Sequence, residues 1–201
     1  MGLGQVGRKL PAAMQFWTLP AVITLFSLFC ELAADAGRLA LRFDRAGISG
    51  GEFWRLLTGH FVHLGWPHLF LNIAGLILVW LLCGRAYSAK VWCVIVVLVL
   101  AGIDGGLWFC DPGLEWYVGL SGLLHGLLAA GVLAPVFAAS REMRVLGLLV
   151  LVKLACEQLY GPLPGSEGLA GAAVVVDAHL YGAVAGIAVA MVIRVGRIRP
   201  I

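Results

Sequence analysis

Charge is what this chain has least of. Only 12% of its 201 residues are Asp, Glu, Lys or Arg, against 61% hydrophobic, and the mean hydropathy is +0.97. A soluble domain carries roughly a quarter of its residues charged, so that class is excluded. No low-complexity linker and no internal repeat divides the chain, which argues for a single polytopic membrane domain over residues 1–201. Cys30, Cys83, Cys93, Cys110 and Cys156 are odd in number and form no C-x-x-C, so neither a disulfide framework nor a zinc finger is implied. Small buried apolar residues account for them. There is no H-E-x-x-H and no cluster of acidic ligands, so no metal and no cofactor is expected. The net charge of +3 asks for no nucleic-acid partner.

What the chain has instead is long apolar runs. Segments near 16–35, 68–84, 90–109, 120–139, 143–160 and 174–194 reach membrane-spanning length, which predicts an all-α bundle of six transmembrane helices with the lipid bilayer as its surroundings. If the N-terminus is cytoplasmic, that side collects Arg8, Lys9, Arg85, Lys90, Arg141, Arg144, Arg194, Arg197 and Arg199 against the single acid Glu142. Arg38, Arg42, Arg45 and Arg55 fall on the other side, mixed with Asp35, Asp44 and Glu52. The positive-inside rule then places both termini in the cytoplasm. The basic tail and apolar run 16–30 also resemble a cleavable signal peptide; we read the run as an uncleaved first helix.

Polar residues inside the spans mark the chemistry, because each costs free energy in a bilayer unless it faces a partner or water. Residues 36–67 form a loop long enough to carry structure of its own, and Glu52–His63 is amphipathic, which predicts short helices in the outer interface with Trp54 and Arg55 as headgroup anchors. His68 and Asn72 are four apart, so they share one helical face. Asp104, Asp111 and Glu115 read as a solvated acidic surface. Gly119-Leu120-Ser121-Gly122 opens the fourth span, placing a hydroxyl where free backbone N–H groups point outward. Such a serine can attack a carbonyl while those groups receive the oxyanion, though an N-cap serine with small packing neighbours fits the same letters. Lys153 and Glu157, at i and i+4 in the fifth span, should pair with each other, either as a structural ion pair or as a gate contact for substrate. His179 begins the last span.

Under this topology the second, fourth and sixth spans all enter from the outer side, each with its polar residues within about two turns, roughly 10 Å of depth. His68, Asn72, Ser121 and His179 therefore share a depth. Small-residue stripes at Gly122, Gly126 and Ala130 and at Gly182 and Gly186 permit the close helix contact that a Ser121–His179 hydrogen bond needs. His179 would be the general base, with His68, Asn72 and backbone N–H groups at the oxyanion. Asp177 points to another side of its helix, so the pattern suggests a dyad.

The motifs Glu52-x-Trp54-Arg55-x-x-Thr58, His63-x4-His68-x3-Asn72, Gly119-x-Ser121-Gly122 and Ala178-His179-x-x-Gly182-x-x-x-Gly186, in this order, resemble the rhomboid family of intramembrane serine proteases. The resemblance implies a core over about 48–195, Ser121 as nucleophile, His179 as base, His68, Asn72 and Ser121 around the oxyanion, His63 and Gly119 as support, and a fifth helix beside the substrate route. Many rhomboids carry an aromatic residue four after the nucleophile; here it is His125, expected to stack on or bond near His179, or simply to pack. The wording WRLLTGHFVHLGWPHLFLN and GLSGLLHG looks most like the rhombosortase branch. That similarity implies partners that are membrane-anchored bacterial proteins with a C-terminal Gly-Gly sequence, transmembrane segment and basic tail, cut at the outer face of the inner membrane. A catalytically silent rhomboid-like protein that escorts membrane helices is the alternative, and a metal or proton transporter built on the five histidines has no ligand motif behind it.

Overall fold

A computed structural model describes residues 12–170 and 173–196. Arg8, Lys9, Arg197 and Arg199, part of the charge asymmetry, lie outside the described residues. In chain order the elements are α1 (Ala12–Leu32), α2 (Ala34–Leu41), β1 (Phe43–Asp44), α3 (Arg45–Ser49), α4 (Trp54–Thr58), α5 (Trp66–Cys83), α6 (Ala89–Phe109), β2 (Trp116–Tyr117), α7 (Ser121–Val132), α8 (Arg141–Tyr160), α9 (Ser166–Ala170) and α10 (Val176–Val195). The protein is all-α apart from the pair β1–β2. Among the described residues four helices are long and apolar enough to cross a membrane: Met14–Leu32 of α1, α5, α6 and α10.

The fourth and fifth expected spans depart from that standard for separate reasons. α7 has 12 residues and stops at Val132, short of the expected 139. Ala134 turns extended with ψ 142°, and Pro135, which has no N–H to continue the ladder, opens a 3-10 turn ending at Phe137. α8 has the length, 20 residues, but carries Arg141, Glu142, Arg144, Lys153 and Glu157.

α7 is the centre of the bundle, packed by α5, α6, α8 and α10. Its tightest neighbour is α10. A Cβ at Gly182 would strike the Gly122 carbonyl, one at Gly186 the Gly126 carbonyl, and one at Gly122 would stand 2.9 Å from the Ala178 carbonyl. With no side chains between them, the two backbones touch, and dispersion between them replaces contacts with lipid. These pairs advance together, so α7 and α10 run parallel. Ile103 meets Gly122 while Val99 meets Gly126, so α6 runs the other way. Lys153 meets His125 while Gly147 meets Val132, so α8 does too.

The segment 36–67 folds into α2, α3 and α4, and β1 ties it antiparallel to β2 through Phe43↔Tyr117 and Asp44↔Trp116. Carbonyls left over at the end of α2 are what the Glu52–Thr58 motif satisfies. Arg55 donates to Leu39 O and Arg42 O and pairs with Glu52; Thr58 Oγ1 donates to Leu41 O and Trp54 Nε1 to Ala40 O. Arg55 is therefore not the headgroup anchor expected of it: its side chain is only 11% exposed. Trp54 remains exposed. Asp44 caps α3 by accepting from Gly47 N, and that bond, more than the nearby Arg42 guanidinium, holds its carboxyl below the usual range. Arg45 donates to the carbonyls of Leu107, Trp108, Asp111 and Leu114 and lies over the Trp108 ring, a cation closing the C-terminus of α6. Asp104 corrects a second expectation. It is no free surface acid, since its Oδ1 is 3.0 Å from Nε2 of the buried His60.

Candidate active site

Gly119 sets the entrance to α7. Its φ of +124° is one that side-chain-bearing residues avoid, its N–H donates to Gly59 O, and its carbonyl accepts from the buried Tyr117 hydroxyl at 2.6 Å. The chain then turns into α7 with Ser121 as first residue, where the Ser121 N–H has no intrahelical acceptor. The Ser121 side chain meets α10. Ser121 Oγ lies 2.9 Å from His179 Nε2, with His179 5% exposed and Ser121 half-buried.

His68 approaches from α5. The Leu64 N–H donates to His68 Nδ1 at 3.4 Å, so the ring proton belongs on Nε2. A Cβ built on Gly119 would be 3.3 Å from that Nε2 and 4.0 Å from Ser121 Oγ, so the missing side chain leaves a space bordered by both groups. His68 and Ser121 also line a cavity of about 440 Å³, together with Leu64, Trp116, Tyr117 and Val175 among others. Asn72 is not on its wall. The Asn72 amide donates to His68 O at 3.1 Å, fixing the turn that carries His68. His63, off the cavity, is fully buried, donates from Nδ1 to Phe61 O and holds Arg38 through its carbonyl. Burial, with His68 beside it, pushes the His63 ring down to about 3, so it stays neutral.

His125 lies against His179, ring centroids 4.3 Å apart and planes 20° from parallel. His125 Nδ1 donates to Ser121 O at 2.8 Å, and its Nε2 accepts from Lys153 Nζ at 2.9 Å. Lys153 and Glu157 do meet, at 2.7 Å, but Glu157 has a partner outside its own helix as well. Glu157 Oε2 is 3.0 Å from His179 Nδ1, so the pair read from the sequence as a dyad has a third group behind it. The signal was the depth of Glu157, which matches that of Ser121 when α8 runs outward; the direction it faces was not readable. The donor atoms of His125, Glu157 and His179 lie within 4.8 Å of one another, a spacing suited to a metal ion. The Lys153 ammonium already bonds two of the three, supplying a cation where a metal would sit.

A hydroxyl on an imidazole, an imidazole on a carboxylate, and a ring N–H facing the space beside the hydroxyl make an arrangement able to perform acyl transfer. The profile described as the rhomboid domain matches residues 50–195. No curated protein matches the chain.

Proposed function

The chain belongs to the rhomboid family, generally intramembrane serine proteases, and from that premise we propose that it is a serine endopeptidase acting on membrane-anchored proteins near the outer face of a bacterial inner membrane. The observation that carries the reading is Ser121 Oγ at 2.9 Å from His179 Nε2, opening on a cavity that His68 also lines. In the reaction, Ser121 Oγ bonds to the scissile carbonyl carbon as its proton passes to His179 Nε2. The oxyanion forms in the space left by Gly119, facing His68 Nε2–H and the Ser121 N–H. His179 returns the proton to the leaving amine as the C–N bond breaks. Water admitted through the cavity then bonds to the acyl carbon as it loses a proton to His179, and His179 passes that proton to Ser121 Oγ as the acyl–Oγ bond breaks.

The length of α7 supports a site below the membrane surface. Twelve residues rise about 18 Å, against about 30 Å of hydrocarbon, so a helix whose inner end is at the inner boundary starts about 12 Å below the outer one. We take the six helices α1, α5, α6, α7, α8 and α10 as the six crossings, with both termini cytoplasmic and residues 1–201 as one domain. Substrates of the rhombosortase kind, with a C-terminal Gly-Gly sequence, transmembrane segment and basic tail, follow from the wording of 54–72 and 119–126.

Purified protein in detergent is treated with a fluorophosphonate probe beside Ser121→Ala. Labelling of wild type alone, together with cleavage of a Gly-Gly-transmembrane-basic substrate, is the expected result. No labelling of either protein would leave the escort reading in place instead.

A further inference from the structure

The two charges one turn apart in α8, the half-buried Lys153 and the buried Glu157, have more partners than a structural ion pair requires. Glu157 is 3% exposed, and its Oε2 bonds both Lys153 Nζ at 2.7 Å and His179 Nδ1 at 3.0 Å. We infer that Glu157 is the positioning carboxylate of His179, completing a Ser121–His179–Glu157 chain from α8, with Lys153 and His125 holding that carboxylate in place. The inference rests on the protease reading above and deepens it.

The tautomer decides what Glu157 does. For His179 Nε2 to accept the Ser121 proton, Nδ1 must carry the ring hydrogen, and a carboxylate, which only accepts, selects that form. When Ser121 Oγ bonds to the substrate carbon, its proton moves to Nε2 and the ring becomes imidazolium, with N–H on both nitrogens. Nδ1–H donates to Glu157, which stays a carboxylate throughout; Nε2–H goes to the leaving amine as the C–N bond breaks. Glu157 takes no proton, so the step balances with Ser121, His179 and substrate alone.

Lys153 and His125 explain how a carboxylate is kept there. A buried Glu stays ionised only with a paired cation and satisfied bonds, and Lys153, one turn earlier, supplies both. Lys153 also donates to His125 Nε2, while His125 Nδ1 donates to Ser121 O. A ring that donates from one nitrogen and accepts at the other is neutral. The face stacked on His179 is therefore that of an uncharged aromatic, which favours the imidazolium instead of repelling it. The bonds close a circuit from the Ser121 hydroxyl through His179, Glu157, Lys153 and His125 to the Ser121 carbonyl. A structural ion pair accounts for one of these contacts and leaves the other four unexplained.

The test uses full-length protein in detergent with a transmembrane peptide substrate. Glu157→Gln should lower kcat by about 10²- to 10⁴-fold with KM changed less than threefold, the pattern of a lost orienting carboxylate. It leaves Lys153 unpaired, so Glu157→Gln/Lys153→Met is measured beside it. The double variant should melt like wild type yet remain as slow as the single. Recovery of kcat in the double variant overturns the inference and returns the pair to a structural role. A third readout does not depend on either variant folding. Ser121→Ala protein should show a downfield proton resonance from His179 Nδ1–H bonded to carboxylate, and its absence overturns the inference too. Should Ser121→Ala itself retain turnover, the protease reading fails; should it lose turnover while Glu157→Gln keeps it, only the role of Glu157 fails.

Discussion

In the proposed reaction Ser121 and His179 act as a unit, so the two side chains should fail together. Ser121→Ala removes one oxygen from a cavity wall and should abolish cleavage while leaving the melting temperature within a few degrees. His179→Ala should match it in rate, and the double variant should be no slower than either single, because groups acting as a unit are non-additive. Multiplying losses would assign them separate roles. The two candidate oxyanion donors separate by position. His68 lines the cavity with its Nε2–H while Asn72, off the cavity wall, gives one amide N–H to the His68 carbonyl, so His68→Ala should cost kcat about 10²- to 10³-fold, the scale of one lost donor. Asn72→Ala should cost less than His68→Ala; a reversed order in steady-state rates would make Asn72 the direct donor. For His125 the stacked ring and its two bonds predict that His125→Tyr, keeping an aromatic face, retains more activity than His125→Ala. Equal, full activity of the alanine variant would reduce the position to packing. These residues were legible because each sits in a local pattern: a serine between glycines, a histidine and asparagine one turn apart. Glu157 was half legible. Its i,i+4 pairing with Lys153 is a sequence property, but the apolar residues of α8 are spread around the helix without a distinct face, so periodicity could not say which side turns toward His179.

Elements were legible to the extent that a single run of sequence determines them. The apolar runs mark α1, α5, α6 and α10 closely, whereas α7 ends early at the extended Ala134 and Pro135, a local event that hydropathy averages away. Arg55 and Asp104 were misread, as a headgroup anchor and a solvated acid, because their partners, the carbonyls at the end of α2 and His60, lie far off in sequence. That outer segment also carries its own pH sensitivity. Burial keeps the His63 ring near 3 in the folded chain, against about 6.5 when exposed. Between those values the unfolded chain binds a proton that the folded chain refuses, so the stability His63 contributes is complete above about pH 6.5 and is lost progressively toward pH 3. Asp44, held low by its cap to Gly47, works in the same direction at more acid pH. Melting temperatures in detergent should therefore drop from pH 7.5 to pH 5, and the drop should be smaller in His63→Asn, whose amide can still donate to Phe61 O. An unchanged slope in that variant would remove His63 from the acid response.

The proposed direction of the whole bundle rests on where its arginines are spent. Because α5, α7 and α10 run parallel and α6 and α8 run against them, Arg85, Lys90, Arg141, Arg144 and Arg194 gather at one end. At the other end lie Arg38, Arg42, Arg45 and Arg55, which simple counting sets against an inward-positive bias. Each of these four is committed internally: Arg38 to Asp35 and His63 O, Arg42 to Asp44, Arg45 to the carbonyls closing α6, and Arg55 to Glu52 and the end of α2. Neutralised by carboxylates or locked into a folded cap, they differ in kind from the exposed Arg144 and Arg194, and the asymmetry behind the proposed orientation is sharper than the counts suggest. The proposed topology then makes a direct prediction in a variant with its five cysteines replaced. Gly113→Cys, at an exposed turn where a Cβ meets nothing within 4 Å, should react with a membrane-impermeant maleimide in intact spheroplasts. Glu142→Cys, at the start of α8, should react only after the membrane is opened. Reversal of the two would turn the molecule over and place the Ser121 cavity on the cytoplasmic side. Labelling of both from outside would mean that α7 does not carry the chain across, so α8 would begin on the same side as the cavity and Glu157 could not reach the depth of Ser121 from within the membrane.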